Sequence, residues 1–113
     1  MPLDVDVRSS ATHTVVALAG ELDLSTSAAL QGALAPFDRS SVPVVVDLTD
    51  VTFLDSSALR VLVQARLRLS EAEGHADLRL VVTRDNLRRV LDVSGLAEVF
   101  EVFDTEEAAA AGR

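Results

Sequence analysis

The chain has 113 residues, 49% of them hydrophobic, enough for one compact domain with its own core but not for two. Its formal net charge of -8, from 18 acidic and 10 basic side chains, repels phosphate backbones, and with 4 Phe and no Trp or Tyr there are few rings for stacking bases; nucleic acid and anionic membrane are poor partners. With no cysteine, no basic-then-apolar start and no apolar run of about 20 residues, the sequence lacks a disulfide framework, a thiolate metal site, a signal peptide and a membrane span, so a cytoplasmic domain without membrane insertion is expected.

"LDVDVR" (3–8) alternates Leu3, Val5 and Val7 against Asp4, Asp6 and Arg8, the period of a half-buried strand. After the turn-like "SSAT" (9–12), "HTVVALAG" (13–20) reads as its hairpin partner. The period then changes: Ala28, Leu30, Leu34 and Phe37 share a helical stripe, Asp23 or Ser25 can cap it, and Pro36 marks its end. "VPVVVDLTDV" (42–51), with Val44 to Val46 and Leu48, suits a central strand buried on both faces.

"SALRVLVQARLRLSEAEG" (57–74) follows as an amphipathic helix. Ala58, Leu62, Ala65 and Leu69 form its core row, Arg60, Gln64, Arg68 and Glu71 oppose them, and Gly74 suits the exit. "DLRLVVT" (77–83) is a further strand, "RDNLRRVLDVSG" (84–95) a helix closed near Gly95, and "VFEVF" (99–103) a short last strand. "DTEEAAAAGR" (104–113) reads as a final helix with Asp104 and Glu107 at capping-box spacing. Strands alternating with helices of about ten residues imply a parallel α/β core with crossover connections. One domain over 1–113 is expected, frayed at 1–2 and about 110–113.

The candidate site lies at "TFLDSSALRVL" (52–62), where an apolar strand breaks into Asp55, Ser56 and Ser57 before the helix begins. One reading is a cap, since a side-chain oxygen there satisfies orphan backbone N–H groups. Asp55 suffices for that, leaving a serine without a structural task. The other reading is a modification site: a phosphate on Ser57 would be tolerated at a helix start, and its charge of about -1.5 to -2 beside Asp55 would repel a docked partner. "GELDLST" (20–26) ends the neighbouring strand, so a shared sheet edge would bring Asp23 to Thr26 beside Asp55 to Ala58. A second apolar row, Leu59, Val63 and Leu67, packs on a neighbouring helix or forms a docking stripe.

Enzymatic readings fare worse. His13 and His75 lack the context of a serine-activating base, and "LDSSA" lacks the glycines of a nucleophile elbow. Asp47, Asp50 and Asp55 could hold a metal, but carboxylates near strand ends are usually caps and turn formers, and no phosphate-cradling glycine loop accompanies them.

With "GELDLSTSAAL", "VVVDLTDVTFLDSSALRVLV" and "LRLVVTRDNLRRVLDVSGLAEVFEVFDTEEAA" in this order, the chain resembles the STAS-domain anti-sigma-factor antagonists of bacteria over nearly its whole length. The most specific part is the apolar strand with Asp47, then Phe53, Asp55-Ser56-Ser57 and an apolar helix. The resemblance implies a small mixed sheet of about four to five strands with helices mainly on one face. It implies a non-enzymatic switch without a cofactor, whose phosphorylated residue, the second serine of the doublet, is Ser57, supported by Asp55 and Ser56. The implied partners are an anti-sigma factor that is also a GHKL-type serine kinase and supplies the ATP, and a phosphatase that resets the cycle. With the shared sheet edge and the second apolar row, partner contacts are expected at Asp23, Ser25, Thr26, Ala58, Leu59, Arg60 and Val63. Where the family pattern continues with glycine after the doublet and often again two residues later, this sequence has Ala58, whose methyl bears on partner approach, and Arg60, which could pair with a phosphate at Ser57 or with a partner carboxylate. A second role the family allows is a fixed accessory module on a transporter ATPase or a signalling scaffold.

Overall fold

The alternating segments at the start pair as read. In the computed structural model, which describes residues 3–113, strand β1 (Asp4–Ser9) runs antiparallel to β2 (Thr14–Leu22). The expected fraying at residues 1–2 lies outside the described residues. Strands β3 (Val44–Leu54), β4 (Leu78–Val81) and β5 (Glu101–Phe103) follow in parallel, so the mixed five-stranded sheet has the order β1-β2-β3-β4-β5.

Helices α1 (Ser27–Leu34), α2 (Ser56–Glu71) and α3 (Asp85–Ser94) are the crossovers between the parallel strands. Because each step moves to the next strand in one direction, crossovers of one hand place all three helices on one face. There Leu30 and Leu34, Leu62 and Leu69, and Leu87 and Leu91 join Val16, Leu18, Val44, Val46, Leu48 and Leu80 in the main core. Only α4 (Glu106–Ala111) returns to the other face, where Ala109 closes a small second core with Val15, Val45, Val81 and Phe103. The Val44–Val46 run is therefore buried on both sides, as its composition predicts. Arg8 grips Glu106 with both terminal nitrogens, at 3.0 and 2.8 Å, and Arg79 donates to the carbonyls of Ala109 (2.9 Å) and Ala110 (3.3 Å). The short helix is thus pinned near both ends, the second cation complementing its negative terminus.

Several boundaries differ from the sequence reading, each for a visible reason. β1 is exposed along its length: Val5 and Val7 pair with Leu18 and Val16 on the main-core face, but at the sheet margin no helix covers them, and they stay 42% and 43% exposed. Gly20 does not end β2; at φ 125 it sits by a register shift against β3, and the strand continues to Leu22. β3 correspondingly runs to Leu54. Ala28 faces solvent, leaving Leu30, Leu34 and the partly buried Phe37 to carry the α1 stripe. Gly74 is not the cap of α2, which is Ala72; it is small because a Cβ there would lie 2.6 Å from the Ser40 carbonyl oxygen. Thr105, not Asp104, caps α4, accepting from Ala108 N at 3.0 Å, while Asp104 pairs with Arg88 at 2.8 Å. Residues 110 and 111 belong to that helix and left-handed Gly112 closes it.

Candidate functional site

Parallel strands deliver their carboxyl ends to one edge, which is where the polar breaks fall. Leu22 and Leu54 are register partners, and the Asp55 N–H donates to the Leu22 carbonyl at 3.1 Å. Asp23 and Asp55 therefore leave the sheet side by side, as the shared-edge argument requires.

Each then makes the same local structure. Asp55 is extended, and its Oδ1 accepts from Ser57 N (3.0 Å), Ser57 Oγ (2.5 Å) and Ala58 N (3.4 Å), starting α2. Asp23 Oδ1 accepts from Ser25 N (2.9 Å), Ser25 Oγ (2.6 Å) and Thr26 N (3.2 Å), starting a 3-10 turn that leads into α1. The Ser25 hydroxyl, with two backbone amides, holds the Asp23 carboxyl below its ordinary range. Asp55 is thus the cap, Ser56 is exposed, and the half-buried Ser57 holds its hydroxyl on a carboxylate. A hydroxyl oriented onto a carboxylate is set to lose its proton as it attacks an electrophile.

A groove of about 300 Å³ runs beside Ser57, between the starts of α1 and α2, lined by Leu24, Ser27, Gln31, Ser56, Arg60 and Gln64 among others. Leu24 is 78% exposed at this corner, and Phe53, next to last in β3, is 47% exposed. Exposed large apolar side chains beside a polar site are what a protein partner covers. Sequence reading did not single out Leu24, because apolar residues in a helical stripe and in a short capped turn look alike until the backbone is placed.

The other candidates divide. Asp23 and Val63 are half-exposed, and Ser25 and Arg60 are exposed, all available to a partner. Thr26, Ala58 and Leu59 are not: they are 6%, 0% and 5% exposed. Thr26 is spent on the cap, its hydroxyl donating to the Glu21 carbonyl at 2.8 Å and accepting from Asp23 N at 3.0 Å. Leu59 sits in the main core and Val63 packs against it; of the second α2 row only Leu67, 46% exposed, is largely open. The methyl of Ala58 points inward, so it does not stand between a partner and the Ser57 corner.

The three aspartates do not converge. Asp55 caps α2, whereas Asp47 and Asp50 line a shallow groove on the α4 side of the sheet with Glu106 and Arg8. Asp47 Oδ1 accepts from Thr49 N at 2.9 Å and Thr49 Oγ1 at 2.5 Å, the turn that accompanies the β3 register shift. Burial first, then the neighbouring Glu106, raises the Asp47 carboxyl; Arg8 first, then the neighbouring Asp47, lowers Glu106. Neither histidine reaches Ser57. His13 precedes β2 at its far end, and His75 bonds the Ser70 carbonyl at 2.9 Å beyond the far end of α2.

A family description, the STAS domain, matches residues 4–109. The chain belongs to the STAS domain family. It is 28% identical over 102 residues to the anti-sigma-B factor antagonist of Bacillus subtilis (strain 168), covering 90% of this chain and 92% of that protein. It is 34% identical over 93 residues to the anti-sigma-F factor antagonist RsfB of Mycobacterium tuberculosis (strain ATCC 25618 / H37Rv), covering 80% of this chain and 73% of that one. The crystal structure of an anti-sigma factor antagonist from Mycobacterium paratuberculosis superposes with a TM-score of 0.84 at 26% identity, over 97% of this chain and 92% of that one. Among the described residues, no helix of this STAS chain is long and apolar enough to cross a membrane.

Proposed function

We propose that this STAS domain is an anti-sigma-factor antagonist switched by phosphorylation at Ser57. In its unmodified form it docks an anti-sigma factor on the surface around Leu24, Ser25, Phe53, Ser56 and Arg60, with Asp23 and Val63 at the margins, and so frees a sigma factor. That anti-sigma factor is also the serine kinase. The Ser57 oxygen attacks the γ-phosphoryl of the kinase's ATP, the new P–O bond replaces the bond to the leaving ADP, and the hydroxyl proton passes toward Asp55. The phosphorylated form lets go, because added bulk and charge occupy the corner where the partner sat. A phosphatase returns the hydroxyl by hydrolysis. The chain itself needs no cofactor and turns over no substrate, and the cycle operates in the cytoplasm, where sigma factors work.

The observation that carries this reading is the Ser57 hydroxyl held 2.5 Å from Asp55 Oδ1 at a partly exposed corner. The names of the relatives support the partner class. The test is affinity capture from the source cell with immobilised Ser57→Ala and Ser57→Glu proteins. Retention of one kinase-type anti-sigma factor by Ser57→Ala and its loss with Ser57→Glu is the expected result. A partner held equally by both would make this domain a fixed accessory module instead.

A further inference from the structure

The structure raises a question that the switch alone leaves open: where the phosphoryl group goes once it is attached. The Ser57 hydroxyl donates to Asp55 at 2.5 Å. Phosphorylation removes that proton, so the same neighbour turns from acceptor to like charge and the modified side chain must rotate away. Ser57 also lines the groove of about 300 Å³, with Leu24, Ser27, Gln31, Arg60 and Gln64 but without Asp55, and the space is ample for a phosphoryl group.

Arg60 is the one charged residue of that lining, among the described residues. It follows Ser57 by three positions on α2, the spacing at which side chains of one helix meet. It is exposed and makes no ion pair or side-chain hydrogen bond among the described residues; Arg39, Arg66, Arg89 and Arg113 are likewise without one, but they do not line this groove. No carboxylate lines the groove to compete for it.

We propose that Arg60 is an internal clamp for phosphorylated Ser57, drawing the phosphoryl group into the groove between α1 and α2. This rests on the phospho-switch reading and specifies how that switch works. The planar guanidinium suits bidentate pairing with phosphate oxygens, and the amides of Gln31 and Gln64 line the same space. The modification then acts in two ways: it fills the groove, and it neutralises the one cation the unmodified surface offers a partner. Release depends less on repulsion at a distance than on losing a docking groove.

The test uses full-length protein carrying phosphoserine encoded at position 57, so that it does not depend on any kinase. Phosphorus NMR across pH reads the second ionisation of the phosphate in the unaltered sequence, in Arg60→Ala and in Arg60→Lys. An ordinary phosphoserine titrates near pH 6, and an adjacent guanidinium lowers this. The expected result is a midpoint lower than in Arg60→Ala by about half a unit or more, some threefold in acidity, with Arg60→Lys in between. An equal midpoint in all three overturns the clamp, as does a shift that survives Arg60→Ala. Because Arg60 is exposed, the unphosphorylated variants should melt within about 2 °C of the parent. Failure of any cellular kinase to modify Ser57 would remove the switch and leave this measurement standing, so the two claims fail separately.

Discussion

Replacing Asp55 and Ser57 one at a time separates the cap from the hydroxyl it holds. Asp55 Oδ1 serves three donors, Ser57 N, Ser57 Oγ and Ala58 N. Asp55→Ala leaves two amides of the first α2 turn without their acceptor, and Ala58 is fully buried, so water cannot readily replace it there. Loss of a cap costs about 0.5–2 kcal/mol, and the buried amide puts this case in the upper half, about 1–2 kcal/mol. For a domain of this size that is a melting temperature lower by about 4–8 °C. Ser57→Ala keeps both amide bonds to Asp55 and gains a better helix former, so its stability should stay within about 0.5 kcal/mol of the parent. Urea unfolding followed by circular dichroism measures both. A Ser57→Ala protein destabilised as much as Asp55→Ala would mean that the Ser57 hydroxyl is structural, and the assignment of a functional role would fall.

Three further substitutions probe other parts of the account. Asp47→Asn keeps an acceptor for Thr49 and removes a carboxyl that burial holds above the ordinary carboxylate range in the folded state. A raised carboxyl makes the native state hold its proton longer than the unfolded chain, so it penalises folding increasingly as pH rises through that window. The variant should therefore gain stability relative to the parent as pH rises from about 4 towards 7, with the gain vanishing below about pH 4; a constant difference across pH would contradict it. Gly74→Ala should lose about 1–3 kcal/mol in chemical denaturation, because its Cβ would meet the Ser40 oxygen at 2.6 Å and Ser41 Cα at 2.8 Å, both backbone atoms. Leu59→Ala should lose about 2–5 kcal/mol of stability, as a core residue does; a variant as stable as the parent but poor at partner capture would return Leu59 to the docking surface.

What the sequence made legible follows from how local each signal is. The burial of Val44 to Val46 on both faces, the core row of α2 and the Asp55 cap are properties of a few adjacent residues, and all three are present in the fold. The same holds for the shared edge, since parallel crossovers leave adjacent strand ends little freedom. What stayed hidden depends on distant partners. Alternation in β1 cannot tell that Val5 and Val7 lie at a margin no helix reaches. Nothing near Gly74 announces the loop at Ser40. Helical spacing gave Leu59 and Val63 a row of their own, but only the tilt of α2 on the sheet decides that Leu59 turns inward. Arg8 and Glu106 meet across most of the chain, and Thr105 takes the α4 cap while Asp104 pairs with Arg88.

The central claim is that Ser57 carries a phosphoryl group in the cell. Intact-mass analysis with peptide mapping, on protein isolated from its own cells under several growth conditions, tests it most directly. The account predicts a population one phosphoryl group heavier, with the added mass on Ser57 and absent from a Ser57→Ala strain. A protein unmodified in every condition, or one modified at a residue other than Ser57, would contradict it.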